Sequence, residues 1–103
     1  MNVTKILQGH GSGGKLMNEM ISRTIVKTLG PSSIQLDDSA VLEIPSSRIA
    51  FTTDTFTITP IFFPGGDIGR LAVNGTVNDL AVMGARPMYL SCALVLEEGL
   101  DFE

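Results

Sequence analysis

Phe51-Thr52-Thr53-Asp54-Thr55-Phe56 carries the one charged side chain between Ile49 and Gly66. The run is aromatic and β-branched, the composition of a strand. A carboxylate on such a strand is penalised in its charged form unless something compensates for it, and the natural compensator is a cation. By the two-residue period Ala50, Thr52, Asp54, Phe56 and Ile58 share one face, and Phe51, Thr53, Thr55 and Thr57 the other. Neither face is clearly polar, so both are expected to be covered, one by helices and the other by further protein such as a second subunit. The plainer alternative is an Asp54 satisfied by neighbouring threonine hydroxyls and without a functional role.

Two more acidic points lie in equally uncharged surroundings. Asp37 and Asp38 stand in Gln35-Leu36-Asp37-Asp38-Ser39-Ala40-Val41-Leu42, and Asp79 in Val73-Asn74-Gly75-Thr76-Val77-Asn78-Asp79-Leu80-Ala81. No lysine or arginine falls inside any of the three windows. If the fold gathers Asp37, Asp38, Asp54 and Asp79, they form a cluster of like charge suited to the hard, oxygen-seeking Mg²⁺, with substrate phosphates completing its coordination. Asp79 also has a plainer reading, as a polar residue on a helix surface.

The elements around these windows follow from periodicity. Leu16, Met17, Met20, Ile21, Ile25, Val26 and Leu29 recur at helical spacing beside an i, i+4 charged stripe of Lys15, Glu19, Arg23 and Lys27. That pattern predicts a surface helix packed on a core, ended by a left-handed Gly30 and by Pro31. Residues 40–44 read as a strand, Pro45-Ser46-Ser47 as a turn, and residues 49–58 as a longer strand pairing back on it. Pro60 and Pro64 bar an inner strand between them, and Gly65-Gly66 frees the backbone for a tight bend. Asp67 is placed to cap a helix running from Ile68 to about Met83, closed by Gly84 and Pro87. Its predicted inner face holds Ala72, Gly75, Thr76, Asp79, Val82 and Met83, and Gly75 implies a close approach by a phosphate or a strand. Met88 to Leu96 alternate as a last strand, with Cys92 read as a small buried hydrophobe.

Near the start, Gly9-His10-Gly11-Ser12-Gly13-Gly14-Lys15 holds four glycines in six residues and opens into the first helix. Its backbone amides could cradle an anion. The spacing approaches that of a P-loop, but Leu16 stands where a Mg²⁺-binding Ser or Thr belongs, and only Ile6-Leu7 precedes it as an apolar pair. A mobile linker is the plainer reading. His10 has no second His or Cys at metal-site spacing and is read as part of the loop.

The totals bound the rest. At 103 residues the chain is one domain at most. Hydrophobic content of 44% and a mean hydropathy of +0.29 describe a globular chain with enough surplus apolar surface to point to an interface. A net charge of −4 with seven scattered Lys and Arg argues against nucleic acid and anionic membrane surfaces. A single cysteine excludes an internal disulfide framework. The first eight residues lack a signal-peptide core, and threonines, two prolines and Asp54 exclude 49–66 as a membrane span, so a cytoplasmic protein is expected.

Taken together, Asp37-Asp38-Ser39-Ala40-Val41-Leu42, Phe51-Thr52-Thr53-Asp54, Phe62-Phe63-Pro64-Gly65-Gly66-Asp67-Ile68-Gly69 and Val77-Asn78-Asp79-Leu80-Ala81 through Gly84-Ala85-Arg86-Pro87 resemble a known family. It is the N-terminal domain of the HypE hydrogenase expression/formation proteins, in the superfamily of aminoimidazole ribonucleotide synthetase, selenophosphate synthetase and thiamine-monophosphate kinase. The resemblance covers nearly the whole chain, and the Phe-Phe-Pro-Gly-Gly-Asp-Ile-Gly run favours HypE over its relatives. It implies a PurM-like α/β domain, a mixed sheet with helices on one face and a second subunit pairing on the other, in a homodimer. ATP and Mg²⁺ are implied as cofactors. Asp37, Asp38, Asp54 and Asp79 match metal positions, while Gly11, Ser12, Gly13, Gly14, Lys15, Asp37, Thr53 and Asn78 match nucleotide positions.

HypE-like proteins use ATP to dehydrate a carbamoylated C-terminal cysteine from thiocarboxamide to thiocyanate, the source of cyanide for [NiFe] hydrogenases. Their partners are a HypF-type carbamoyltransferase and iron-carrying maturation proteins. The implied logic is activation, phosphorylation making the amide oxygen a good leaving group. Because the sequence stops at Glu103, without the terminal cysteine, the Gly-Asp-Thr segment or the C-terminal domain of that family, residues 1–103 are expected to be a partial N-terminal domain without a catalytic residue of its own. A different kinase or synthetase of the superfamily, and a non-catalytic dimerisation or docking module, are the alternatives.

Overall fold

The computed structural model describes residues 3–30 and 36–102. They form two compact units, Met1–Glu43 with Glu97–Glu103, and Ile44–Leu96. The secondary structure is mixed α/β.

In the first unit a 3₁₀ turn, Gln8–Gly11, leads through the glycines into helix α1 (Lys15–Ile21). The helix widens into a π segment, Ser22–Val26, and tightens again as α2 (Lys27–Leu29). Thr24 Oγ1 donates to the carbonyl of Met20, four residues back, at 2.6 Å. That back-bond competes with the backbone ladder where the helix changes register. The expected helix is present but packs less deeply than expected: Met17, Met20, Ile21 and Val26 are half-buried, none of its residues is buried, and Leu29 is 82% exposed.

Its expected left-handed end is also corrected. Gly30 is extended, with φ −88 and ψ 153. Glycine is required there by proximity, since a Cβ would lie 2.9 Å from the carbonyl oxygen of Val26. Pro31 lies outside the described residues. The unit is closed by its own two ends: the Ile6 N–H donates to the Leu100 carbonyl at 2.7 Å, that of Gly99 to Ile6 at 2.8 Å, and that of Phe102 to Thr4 at 3.0 Å.

The second unit is a βαβ arrangement. Strand β1 (Thr55–Phe56) pairs in parallel with β4 (Ala93–Leu94), Thr55 opposite Ala93 and Phe56 opposite Leu94. Helix α3 (Ile68–Val82) lies between them in sequence, as a parallel pair requires, and touches both. Strands β2 (Phe62–Phe63) and β3 (Gly66–Asp67) form a separate antiparallel ribbon around Pro64-Gly65, where Gly65 takes φ +93. Asp67 caps α3, its Oδ1 accepting the Arg70 N–H at 2.9 Å. At the other end the Gly84 N–H reaches Ala81 and that of Ala85 reaches Leu80, both at 2.9 Å, with Gly84 at φ +69. This is a Schellman closure, as the Gly84 signal predicts.

Several strand expectations are corrected. Residues 40–44 are exposed and form no strand, so the expected hairpin with 49–58 does not form. The long strand is regular only at Thr55–Phe56, and its partner is β4. Among the described residues the strands form two ribbons of two strands each, where a single mixed sheet was expected. The two-residue period survives in burial, however. Thr52, Asp54, Phe56 and Ile58 are half-buried, whereas Phe51, Thr53, Thr55 and Thr57 are exposed.

Likewise the buried face of α3 is Ile68, Ala72, Thr76 and Leu80; Val82 and Met83, expected on it, are 81% and 77% exposed, and Asp79, also expected there, is exposed. A step of four from Ile68 runs along one side of a helix, and Val82 falls off that line. Cys92 is exposed, because the register of β4 turns Ala93 inward and its neighbour outward.

Candidate functional site

The site is built where the β1 segment crosses α3. The Asp54 backbone N–H donates to Thr76 Oγ1 at 3.4 Å, and that hydroxyl donates to the Ala72 carbonyl at 2.9 Å. Thr76 is buried, so one threonine fastens the strand backbone to the helix from inside. Gly75 allows the approach: a Cβ on it would stand 2.5 Å from Asp54 Oδ2 and 2.9 Å from the Phe56 ring. The residue that needed glycine in the helix is therefore a strand residue, one of the two explanations the sequence left open.

Asp79, one turn beyond Gly75, comes beside Asp54. Desolvation pushes the Asp54 carboxyl above its ordinary value, and the charge of Asp79 and a hydrogen bond with it push the same way. Two carboxyls this close favour a shared proton or a cation. Thr52 Oγ1 donates to Asp79 Oδ2 at 3.2 Å, so the hydroxyl satisfaction anticipated for Asp54 is supplied to Asp79. Thr53 Oγ1 and Ser91 Oγ are hydrogen-bonded to each other. Thr52, Thr76 and Ser91 carry no mark in the sequence; only the pairing of β1 with β4 and its crossing of α3 bring them into use.

The remaining predicted residues fall as follows. Asn78 is exposed on α3, next to Asp79. Asp37 and Asp38 are exposed and belong to the first unit. In that unit Gly11 ends the 3₁₀ turn, Ser12 Oγ donates to the Gly9 carbonyl at 2.7 Å, Gly13 takes φ +79, Gly14 precedes α1, and Lys15 lies 3.7 Å from Glu19. Among the described residues no group of three or more His, Cys, Asp or Glu is gathered as a metal site. The Asp54–Asp79 corner offers carboxylate and hydroxyl oxygens without nitrogen or sulfur, a donor set that fits a hard divalent cation. No helix of the described residues is long and apolar enough to cross a membrane.

Residues 36–103 match the family of AIR synthase related proteins, N-terminal domain, and the chain belongs to that family. Within it, the chain is similar to proteins of hydrogenase maturation. It is 54% identical to a putative hydrogenase expression/formation protein of Methanocaldococcus jannaschii, over 96% of this chain and 32% of that protein. It is 48% identical to the carbamoyl dehydratase HypE of Rhodobacter capsulatus (94% and 29%) and 44% identical to that of Escherichia coli (98% and 32%). The chain thus spans about a third of the length of these relatives. No solved structure matches it significantly.

Proposed function

We propose that this chain is the nucleotide-binding part of a HypE-type carbamoyl dehydratase, with Asp54 and Asp79 holding Mg²⁺ against the phosphates of ATP. The observation that carries the reading is the carboxyl pair itself. Two acids are brought together by a fastened strand, a buried threonine and an obligatory glycine, at the cost of mutual repulsion that a cation relieves. Thr76 holds the Asp54 backbone and Thr52 orients Asp79. Bound Mg²⁺ neutralises phosphate charge during transfer.

By the family resemblance Asp37 and Asp38 are further metal positions, and Gly11, Ser12, Gly13, Gly14, Lys15, Asp37, Thr53 and Asn78 contact the nucleotide. The dehydration of a carbamoylated C-terminal cysteine, the HypF-type and iron-carrying partners, and a cytoplasmic setting belong to the same proposal for the longer protein. So does the homodimer, which is supported by the exposed outer face of the β1 segment, where Phe51 is 80% exposed.

Titration with ATP in the presence and absence of Mg²⁺ tests the reading. The wild-type chain binds saturably only with Mg²⁺, Asp54→Asn and Asp79→Asn each weaken binding about tenfold or more, and Asp67→Asn, at the start of α3, leaves it unchanged. Binding that ignores both the metal and the two substitutions would refute it.

A further inference from the structure

His10, read from the sequence as part of a loop, is 4% exposed and among the most buried side chains described. Its Nδ1 accepts the Leu7 N–H at 2.8 Å, and its own backbone N–H donates to the Leu7 carbonyl at 2.9 Å. The imidazole therefore closes the Gln8–Gly11 turn from within. Its ring meets that of Phe102 edge-on, with centroids 5.3 Å apart and planes at 79°. Phe102 is held in turn by the pairing of its backbone with Thr4 at 3.0 Å, and beside it Asp101 is bridged to Lys5 at 3.0 Å. Immediately after the turn come the glycines: the Ser12 N–H and Oγ both reach back to the Gly9 carbonyl, at 3.3 and 2.7 Å, the Gly14 carbonyl accepts the Asn18 N–H at 3.1 Å, and a Cβ on Gly11 or Gly13 would meet nothing.

A side chain that merely filled space here would be apolar. An apolar residue at position 10 would leave the part-buried Leu7 N–H without its acceptor, and the turn without its closure. The geometry points to His10, clamped by Phe102, as the positioning residue of the glycine-rich loop 11–15. It fixes the turn from which the loop departs and so holds the loop's amides ready for a phosphate. The nucleotide half of this inference rests on the function proposed above; the positioning half stands without it.

Amide hydrogen exchange at Ser12 in the nucleotide-free chain, followed by Mg²⁺–ATP titration, separates the two halves. His10→Ala accelerates exchange at Ser12 about tenfold, the equivalent of one lost hydrogen bond, and leaves the α3 amides unchanged. His10→Asn, whose Oδ1 can accept the Leu7 N–H, restores most of the protection. Phe102→Leu, which keeps the backbone pairing, accelerates exchange about threefold, and it carries the test should His10→Ala not fold. Affinity for Mg²⁺–ATP falls in the same order as protection. Wild-type exchange at Ser12 in His10→Ala or in Phe102→Leu, or an Asn variant as unprotected as the Ala variant, overturns the positioning role. A wild-type chain that binds no Mg²⁺–ATP overturns the nucleotide half together with the proposed function, and leaves the exchange result to decide the rest.

Discussion

Two helical stretches of the same length, Lys15 to Leu29 and Ile68 to Val82, are anchored in opposite ways. The first has the more conspicuous sequence, a clean apolar stripe beside a charged one, yet it buries no residue, has no side-chain cap and changes register midway. The second mixes Gly, Thr and Asn into its interior and looks weaker on propensity. It is nevertheless capped by Asp67, closed at Gly84, and sunk along Ile68, Ala72, Thr76 and Leu80. Small residues let a neighbouring strand come close, and defined ends satisfy the backbone groups that a helix otherwise leaves open. In this protein those two features, more than the strength of an apolar stripe, separate the helix that is sunk into its unit from the one that is not.

The contrast can be broken most severely at Ile68, 7% exposed at the start of α3. Ile68→Ala lowers stability by about 2–4 kcal/mol in chemical denaturation, the range for a buried large-to-small change. Gly75→Ala comes next. Helix propensity favours alanine by about 1 kcal/mol, but crowding against Asp54 and Phe56 costs about 1–3 kcal/mol, so the variant is less stable by about 1 kcal/mol and loses the carboxyl pair. Asp67→Ala removes the cap and costs about 1 kcal/mol, measured in the same way.

Asp54→Asn acts in the other direction. The folded-state value of Asp54 is raised, so between the unfolded and folded values the folded chain holds the extra proton, and the stability linked to it is lost as pH rises through that window. The metal-free Asn variant is therefore the more stable above the window, and the gap in thermal midpoint closes as pH falls below the unfolded value; a gap independent of pH would contradict this. The smallest effect is at Leu29: Leu29→Ala shifts stability by less than about 0.5 kcal/mol, as an exposed side chain should.

Local chemistry explains which expectations hold. The Asp67 cap, the Gly84 closure, the Gly65 bend and the close approach at Gly75 each depend on a residue whose backbone or side chain admits few alternatives. The strands were less legible. Residues 40–44 have a strand's composition and 88–96 alternate suitably, but neither signal names a partner, and β1 finds its partner beyond an entire helix. Burial inside the helices shows the same limit, since the stripe of 15–29 describes a face that its unit covers only in part. At the site, Asp54 and Asp79 could be singled out by their uncharged surroundings. Thr76 and His10 could not, because a lone hydroxyl or imidazole acquires its role only from backbone groups brought to it by folding.

The closure of the first unit by its two ends has a consequence during synthesis. Lys5 meets Gly99 across a separation of 94 residues, whereas the second unit is one continuous stretch, Ile44–Leu96. On the ribosome the amino-terminal arm emerges first and must wait, at about 5–20 residues per second, until its mate is translated. The stretch in the middle can acquire its structure in the meantime, so the arm around Lys5 settles after residues that follow it in the chain.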